Sequence, residues 1–181
     1  MFLFFGWFRQ AVQIGGRWQY ARHAPGVHAL FGWLQVGSVH KVGDGPLPDW
    51  LHDHPHVQHA TRIGTGNTIY VAGDSLAGSA GSLPAAGTFK NWGPDLQLTE
   101  QGATRSIWRV PRWLLKDPQR PGLSYHGDPA RWNVMGDSCL LRTVGKGQEF
   151  VIDMVDCGGA AQWLHSLVGH HGGPGLQRIP A

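Results

Sequence analysis

Charge is what this chain has least of: Asp, Glu, Lys and Arg make up 15% of its 181 residues, against roughly a quarter in an average globular protein. Cysteine is scarcer still, with only Cys139 and Cys157, so no framework of spaced pairs exists and both read as free thiols of a reducing cytosol. Lysine occurs only at Lys41, Lys90, Lys116 and Lys146. With fifteen basic against twelve acidic residues the net charge is +3, which permits affinity for nucleic acid without demanding it. No apolar run approaches membrane-spanning length. The apolar opening Met1 to Phe8 lacks the basic flank and small-residue cleavage site of an export signal. Ser-His-Asp order, a GxSxG elbow, a phosphate-cradling loop and a dinucleotide fingerprint are also missing, which argues against an ordinary hydrolase or kinase. A cytoplasmic protein with no membrane contact is the expectation.

What the chain does have is 27 Gly, 12 Pro and nine Trp. That much Gly and Pro argues for many turns and against a helical bundle, and the length suffices for one substantial core. Phe2-Leu3-Phe4-Phe5 reads as a strand buried on both faces and continuing to about Val12. Gly15-Gly16 marks a hairpin into a strand from Arg17 to Arg22, with Trp18 and Tyr20 on one face. Val27 to Val42 reads as one long strand kinked at Gly32 or Gly37. Pro48 to Leu51 forms a helical turn, Asn67 to Ala72 a strand, and Gly73 to Gly87 an exposed loop. Strands follow at Leu96 to Leu98 and Ser106 to Val110, and a short helix opens at Pro111. Cys139 to Val144 and Glu149 to Met154 flank Gly145-Lys146-Gly147 as a second hairpin. Ala160 to Val168 is an amphipathic helix stopped by Gly169. The division is one domain over residues 1–169 and a flexible tail over 170–181, with His170-His171 in that tail.

Candidate chemistry concentrates in three places. Trp7 and Trp33 stand in a repeated Phe-Gly-Trp tripeptide on two strands that could be neighbours, where an indole can stack on a base; core packing is the competing use. His52-Asp53-His54-Pro55-His56, with His59, has poor spacing for a metal site, so no metal is assigned and the loop is read as presenting His54 or His56 for hydrogen bonding or proton transfer. The third constellation comprises Tyr125, His126, Arg131, Trp132, Gln148 and Glu149, types that bind an anionic or base-like ligand, with His126 and Glu149 capable of acid–base work. Capping of backbone groups and simple solvation are the bland alternatives for these same residues.

The segments 2–8, 28–37, His54-Pro55-His56, 67–72, 123–132 and 147–151, in that order, resemble the third family of nucleotide-modification-associated domains across nearly the whole chain. The resemblance implies a domain that accompanies phage and bacterial systems making or processing modified DNA bases, and it names no cofactor. It also implies a further N-terminal segment with a Gly-Asp before the Phe-Leu-Phe-Phe strand, so an N-terminally truncated chain is expected. The first strand and the one ending at Val39 are similar to the barrel of PUA-like, ASCH and EVE domains, a likeness of fold and not of function. The resulting expectation is an α+β, mainly β protein: a PUA-like, partly open β-barrel with short helices and a C-terminal helix. Its ligand is a nucleotide or nucleic acid, bound by Trp7, Trp33, Gln35, His56, Asn67, Tyr125, Arg131, Trp132 and Gln148. If the domain is an enzyme, His54 or His126 exchanges a proton and Glu149 orients it. The alternative is a structural or protein-interaction module of a DNA-modification system, with the indoles in the core.

Overall fold

The computed structural model describes residues 1–60, 66–115, 123, 126–143, 149–154 and 159–172. Most of the regular secondary structure among the described residues is strand, and the strands form four sheets that do not close into one barrel among those residues. The largest has the order β11-β1-β4-β7, all antiparallel, built from β1 (Phe2–Arg9), β4 (Gly26–Leu34), β7 (Ala86–Thr88) and β11 (Glu149–Val151). A second joins β8 (Ile107–Pro111), β10 (Ser138–Arg142) and β9 (Trp132–Met135) in that order. Two-stranded pairs are β2 (Ala11–Ile14) with β3 (Arg17–Tyr20), and β5 (Val36–Lys41) with β6 (Thr68–Ala72). The α-helices among the described residues are short: α1 (Pro55–Gln58) has one turn and α2 (Ala160–His171) three. No helix among the described residues is long and apolar enough to cross a membrane.

Side-chain alternation on β1 decides what the main sheet buries. Leu3 and Phe5 point into the core with Leu30, Trp33, Trp108, Phe150 and the α2 residues Leu164 and Leu167. Each fully buried side chain of this kind stabilises the fold by about 1.5–3 kcal/mol. Phe2 and Phe4 occupy the opposite face and remain partly open to solvent. Burial on both faces, expected from the unbroken apolar run, is therefore corrected: a run of aromatics carries no alternation, and only the packing shows that one face is uncovered.

The Gly15-Gly16 hairpin forms as expected, both glycines having positive φ in the turn between β2 and β3. The expected strand from Val27 to Val42 is instead two strands in different sheets, separated at Gln35. Gly37 is the extra residue of a bulge, since Val36 faces Ala72 and Ser38 faces Val71. A Cβ at Gly37 would stand 2.6 Å from the Gly73 Cα, so only glycine permits this approach. A second irregularity lets β4 insert Phe31 between the partners of Phe4 and Phe5. Phe31 consequently packs beside Phe4, ring centroids 6.1 Å apart, whereas Phe5 of the matching tripeptide points inward.

The second hairpin is also corrected. β10 already has β8 on one edge and β9 on the other, while β11 pairs with β1, so the two expected strands belong to different sheets; Val144 and the expected turn Gly145-Lys146-Gly147 lie outside the described residues. The hairpin actually present is β9–β10, turned by Gly136-Asp137 with Gly136 at positive φ. Leu96 sits in a 3-10 turn, Pro94–Leu96, and not in a strand. The Gly73 to Gly87 segment is partly internal, with Leu76 and Ala85 buried. Finally, α2 runs past Gly169 to His171.

Candidate functional site

The uncovered face of β1 is one wall of a cavity of about 620 Å³, lined by Phe2, Phe4, Leu34, His54, His56, Thr68, Ile69, Tyr70 and Glu149. Strand register assembles much of it. Phe2 lies between Val151 and Leu34, and Phe4 between Glu149 and Gly32, so side chains from β11, β1 and β4 share one face. Tyr70 reaches the same space from β6, edge to face with Phe2 at 4.8 Å between centroids. Phe2 and Phe4, two residues apart on one strand, are parallel to within 6° at 6.2 Å.

The imidazoles arrive from α1 and the residue that caps it. His54 is the N-cap, and its Nδ1 accepts from the backbone N–H of His56 at 3.1 Å. An amide N–H can only donate, so this Nδ1 carries no proton and the proton of the neutral ring sits on Nε2. His56 is held the other way round. The Asn67 amide donates from Nδ2 to the His56 carbonyl at 2.8 Å, which leaves Oδ1 as the atom 2.7 Å from His56 Nδ1. That oxygen only accepts, so His56 is protonated on Nδ1 and keeps a bare lone pair on Nε2 in its neutral form. The two rings, 5.2 Å apart and nearly perpendicular, therefore offer one donor and one acceptor side by side, with the Glu149 carboxylate as a further acceptor in the same cavity.

Asn67 is buried and spends both ends of its amide on His56. Asn67→Ala is expected to cost about 1–3 kcal/mol of stability, the usual penalty for stranding such partners, measured by urea unfolding. An unchanged midpoint would mean that His56 is not pinned by this amide.

Of the other residues singled out from the sequence, none of those described lines this cavity. Trp33 is buried, donates from Nε1 to the Pro84 carbonyl at 3.0 Å and packs on Phe89. Trp7 is exposed at the far end of β1, under the guanidinium of Arg105 at 5.5 Å. Gln35 Oε1 accepts from the Ala77 N–H at 2.8 Å and so ties down the following loop. Tyr125 and Gln148 lie outside the described residues. His126, Arg131 and Trp132 do meet, but elsewhere: Trp132 Nε1 donates to the His126 carbonyl at 2.7 Å, and the His126 ring packs 6.2 Å from Trp108. Arg131 directs Nη1 to the Arg142 carbonyl at 3.3 Å.

His126 is 6% exposed, and this burial, assisted by the nearby Arg131 charge, lowers its pKa below the ordinary 6.5. In the unfolded chain the ring takes up a proton as pH falls through 6.5, while the folded ring resists until lower pH. Its contribution therefore leaves stability intact above that value and erodes it between 6.5 and the depressed folded pKa. His126→Gln is expected to flatten the fall in thermal midpoint over that window; an identical slope in both proteins would refute the assignment.

Phe2, Phe4, Leu34, Thr68, Ile69 and Tyr70, none of them a candidate from the sequence, complete the cavity. Their signal was the period-two spacing of Phe2 and Phe4, hidden by the equally apolar Leu3 and Phe5. Against known proteins, residues 1–153 match the family model described as nucleotide modification associated domain 3. No curated protein and no solved structure matches the chain.

Proposed function

The chain belongs to the nucleotide modification associated domain 3 family, and we propose that it binds a nucleobase, free or within a nucleic acid, in the cavity between β1, β6 and α1. The observation that carries this reading is the pairing of flat apolar walls with a fixed donor–acceptor edge. Phe2, Phe4 and Tyr70 supply faces or edges on which a planar heterocycle packs. His54 Nε2–H and His56 Nε2 supply the complementary hydrogen-bonding groups, because the Nδ1 atoms of both rings are already committed to the protein. A base edge, with adjacent donors and acceptors, matches such a pair; a purely apolar ligand would leave both unsatisfied. Binding alone needs no more than this.

An enzymatic version uses the same groups. His56 Nε2 can accept a proton and Glu149 can hold an amino or ring N–H, so chemistry at an exocyclic group of the base is within their capacity. Association with nucleotide modification, which the family supplies, favours a base over other flat heterocycles.

The test is ligand-induced thermal stabilisation of the full chain, using unmodified and modified nucleosides, nucleotides and short single strands. Saturation is expected to raise the midpoint, since a ligand that binds only the folded form shifts unfolding by mass action. No shift with any member of the panel would remove the base-binding reading.

A further inference from the structure

Beside the far end of the main sheet, three side chains from two elements converge outside the cavity just described. Asp95 lies in the 3-10 turn Pro94–Leu96, and His170 and His171 close α2. One ligating atom from each lies within 4.8 Å of the others. His171 is buried at 9% exposure, and its Nε2 stands 2.7 Å from Asp95 Oδ1. Its Nδ1 is enclosed without a hydrogen-bond partner, so Nε2 is the nitrogen that can reach an ion. The ring has little freedom: a Cβ at Gly93 would stand 2.3 Å from His171 Cε1, and the backbone oxygen of His171 accepts from the Lys90 N–H at 2.7 Å. Two of the three positions are thus organised before any ligand arrives. The C-terminal end of a 12-residue helix adds partial negative charge beside the carboxylate, and both favour a cation.

We propose that Asp95, His170 and His171 bind a divalent transition-metal cation of the zinc type. Two imidazole nitrogens and one carboxylate oxygen form a donor set suited to such an ion, whereas calcium and magnesium take oxygen ligands. Metal–ligand bonds of about 2.0–2.2 Å place neighbouring donors in a tetrahedral set about 3.3 Å apart. The Asp95–His171 pair must then open slightly from 2.7 Å, and the exposed His170 turns toward it. Coordination takes the lone pair of His171 Nε2, so the proton that this nitrogen directs at Asp95 in the neutral ring moves to Nδ1, and the ring stays neutral as a metal ligand. Three protein ligands leave a position for water or for another donor. Both histidines lie beyond the residues that match the family model, so family membership does not imply this site.

The experiment uses the full chain stripped by a chelator, titrated with Zn²⁺ by calorimetry and with Co²⁺ by visible absorption. One tight equivalent is expected. His170→Ala should weaken it by more than the roughly 10- to 100-fold that loss of an outer-shell partner costs, with an unchanged melting midpoint for the metal-free protein because His170 is exposed. Asp95→Asn should weaken it as well. The double variant His54→Ala, His56→Ala should bind as the parent does, which separates this site from the other histidine cluster. Failure to bind one equivalent, binding that survives His170→Ala, or binding lost only in the double variant would overturn the proposal.

Discussion

Trp108→Ala is expected to lower the unfolding free energy by about 3–5 kcal/mol, the range for deleting a large aromatic side chain from a close-packed interior. Trp108 is 2% exposed and is the largest side chain among the fully buried group. Its ring meets Phe5 edge to face at 4.7 Å and Phe150 at 5.9 Å. One residue of β8 therefore ties the second sheet to β1 and β11 of the first. Its Nε1–H lies 3.1 Å from both the Arg105 carbonyl and His28 Nδ1, so truncation also removes this hydrogen bond. The surrounding strands β1, β8 and β11 are each held in a hydrogen-bonded ladder and cannot collapse far into the void, which places the cost toward the upper part of the range. Urea unfolding measures it, with Trp50→Ala as control. Trp50 is 63% exposed, and its removal should stay within about 0.5 kcal/mol. Equal losses for the two variants would show that Trp108 does not join the sheets.

The second large effect concerns ligand affinity. Phe4→Ala and Tyr70→Ala are each expected to weaken nucleobase binding roughly 5- to 150-fold, equivalent to about 1–3 kcal/mol for one lost stacking partner. His54→Ala removes the donor and His56→Ala the acceptor, and each should cost a similar factor because the ligand atom left behind is unpaired. The pattern across ligands is the sharper readout. His54→Ala should penalise bases that present an acceptor at that position, and His56→Ala those that present a donor. Trp18→Ala, on the β2–β3 hairpin, and Trp132→Ala should leave affinity unchanged, since neither lines the cavity. Calorimetric titration with the best ligand from the thermal panel decides it. Affinity that falls with Trp132 and not with Phe4 would move the site to the cluster around His126.

That contrast shows where residue-level reading succeeds and where it stops. His54, His56, Asn67 and Glu149 were all legible as candidate polar groups, and the fold does bring them to one place. Their walls were not legible. Phe2 and Phe4 sit in an unbroken aromatic run, and nothing local distinguishes a strand covered on both faces from one covered on a single face. The indoles misled in the opposite direction. Trp33 has the same tripeptide context as Trp7, yet one lies in the core and the other in solvent. A bulge at Phe31 and the position of each residue along its strand separate them. The hairpin at Gly136-Asp137 was overlooked for a related reason, because a two-residue turn competes with every other Gly-rich connection in a chain this rich in glycine.

By itself the sequence determined the mainly β character, the Gly15-Gly16 turn, the amphipathic α2, the family and the polar half of the cavity. These rest on local propensity, turn stereochemistry and long ordered motifs, which act over a few neighbours or are read directly. The tertiary structure alone decided which strands pair, which face of β1 is left open, and that Asp95 meets His170 and His171 across 75 residues and more of chain. Such contacts depend on how every other segment competes for the same strand edges and the same core, and no short window of sequence contains that competition.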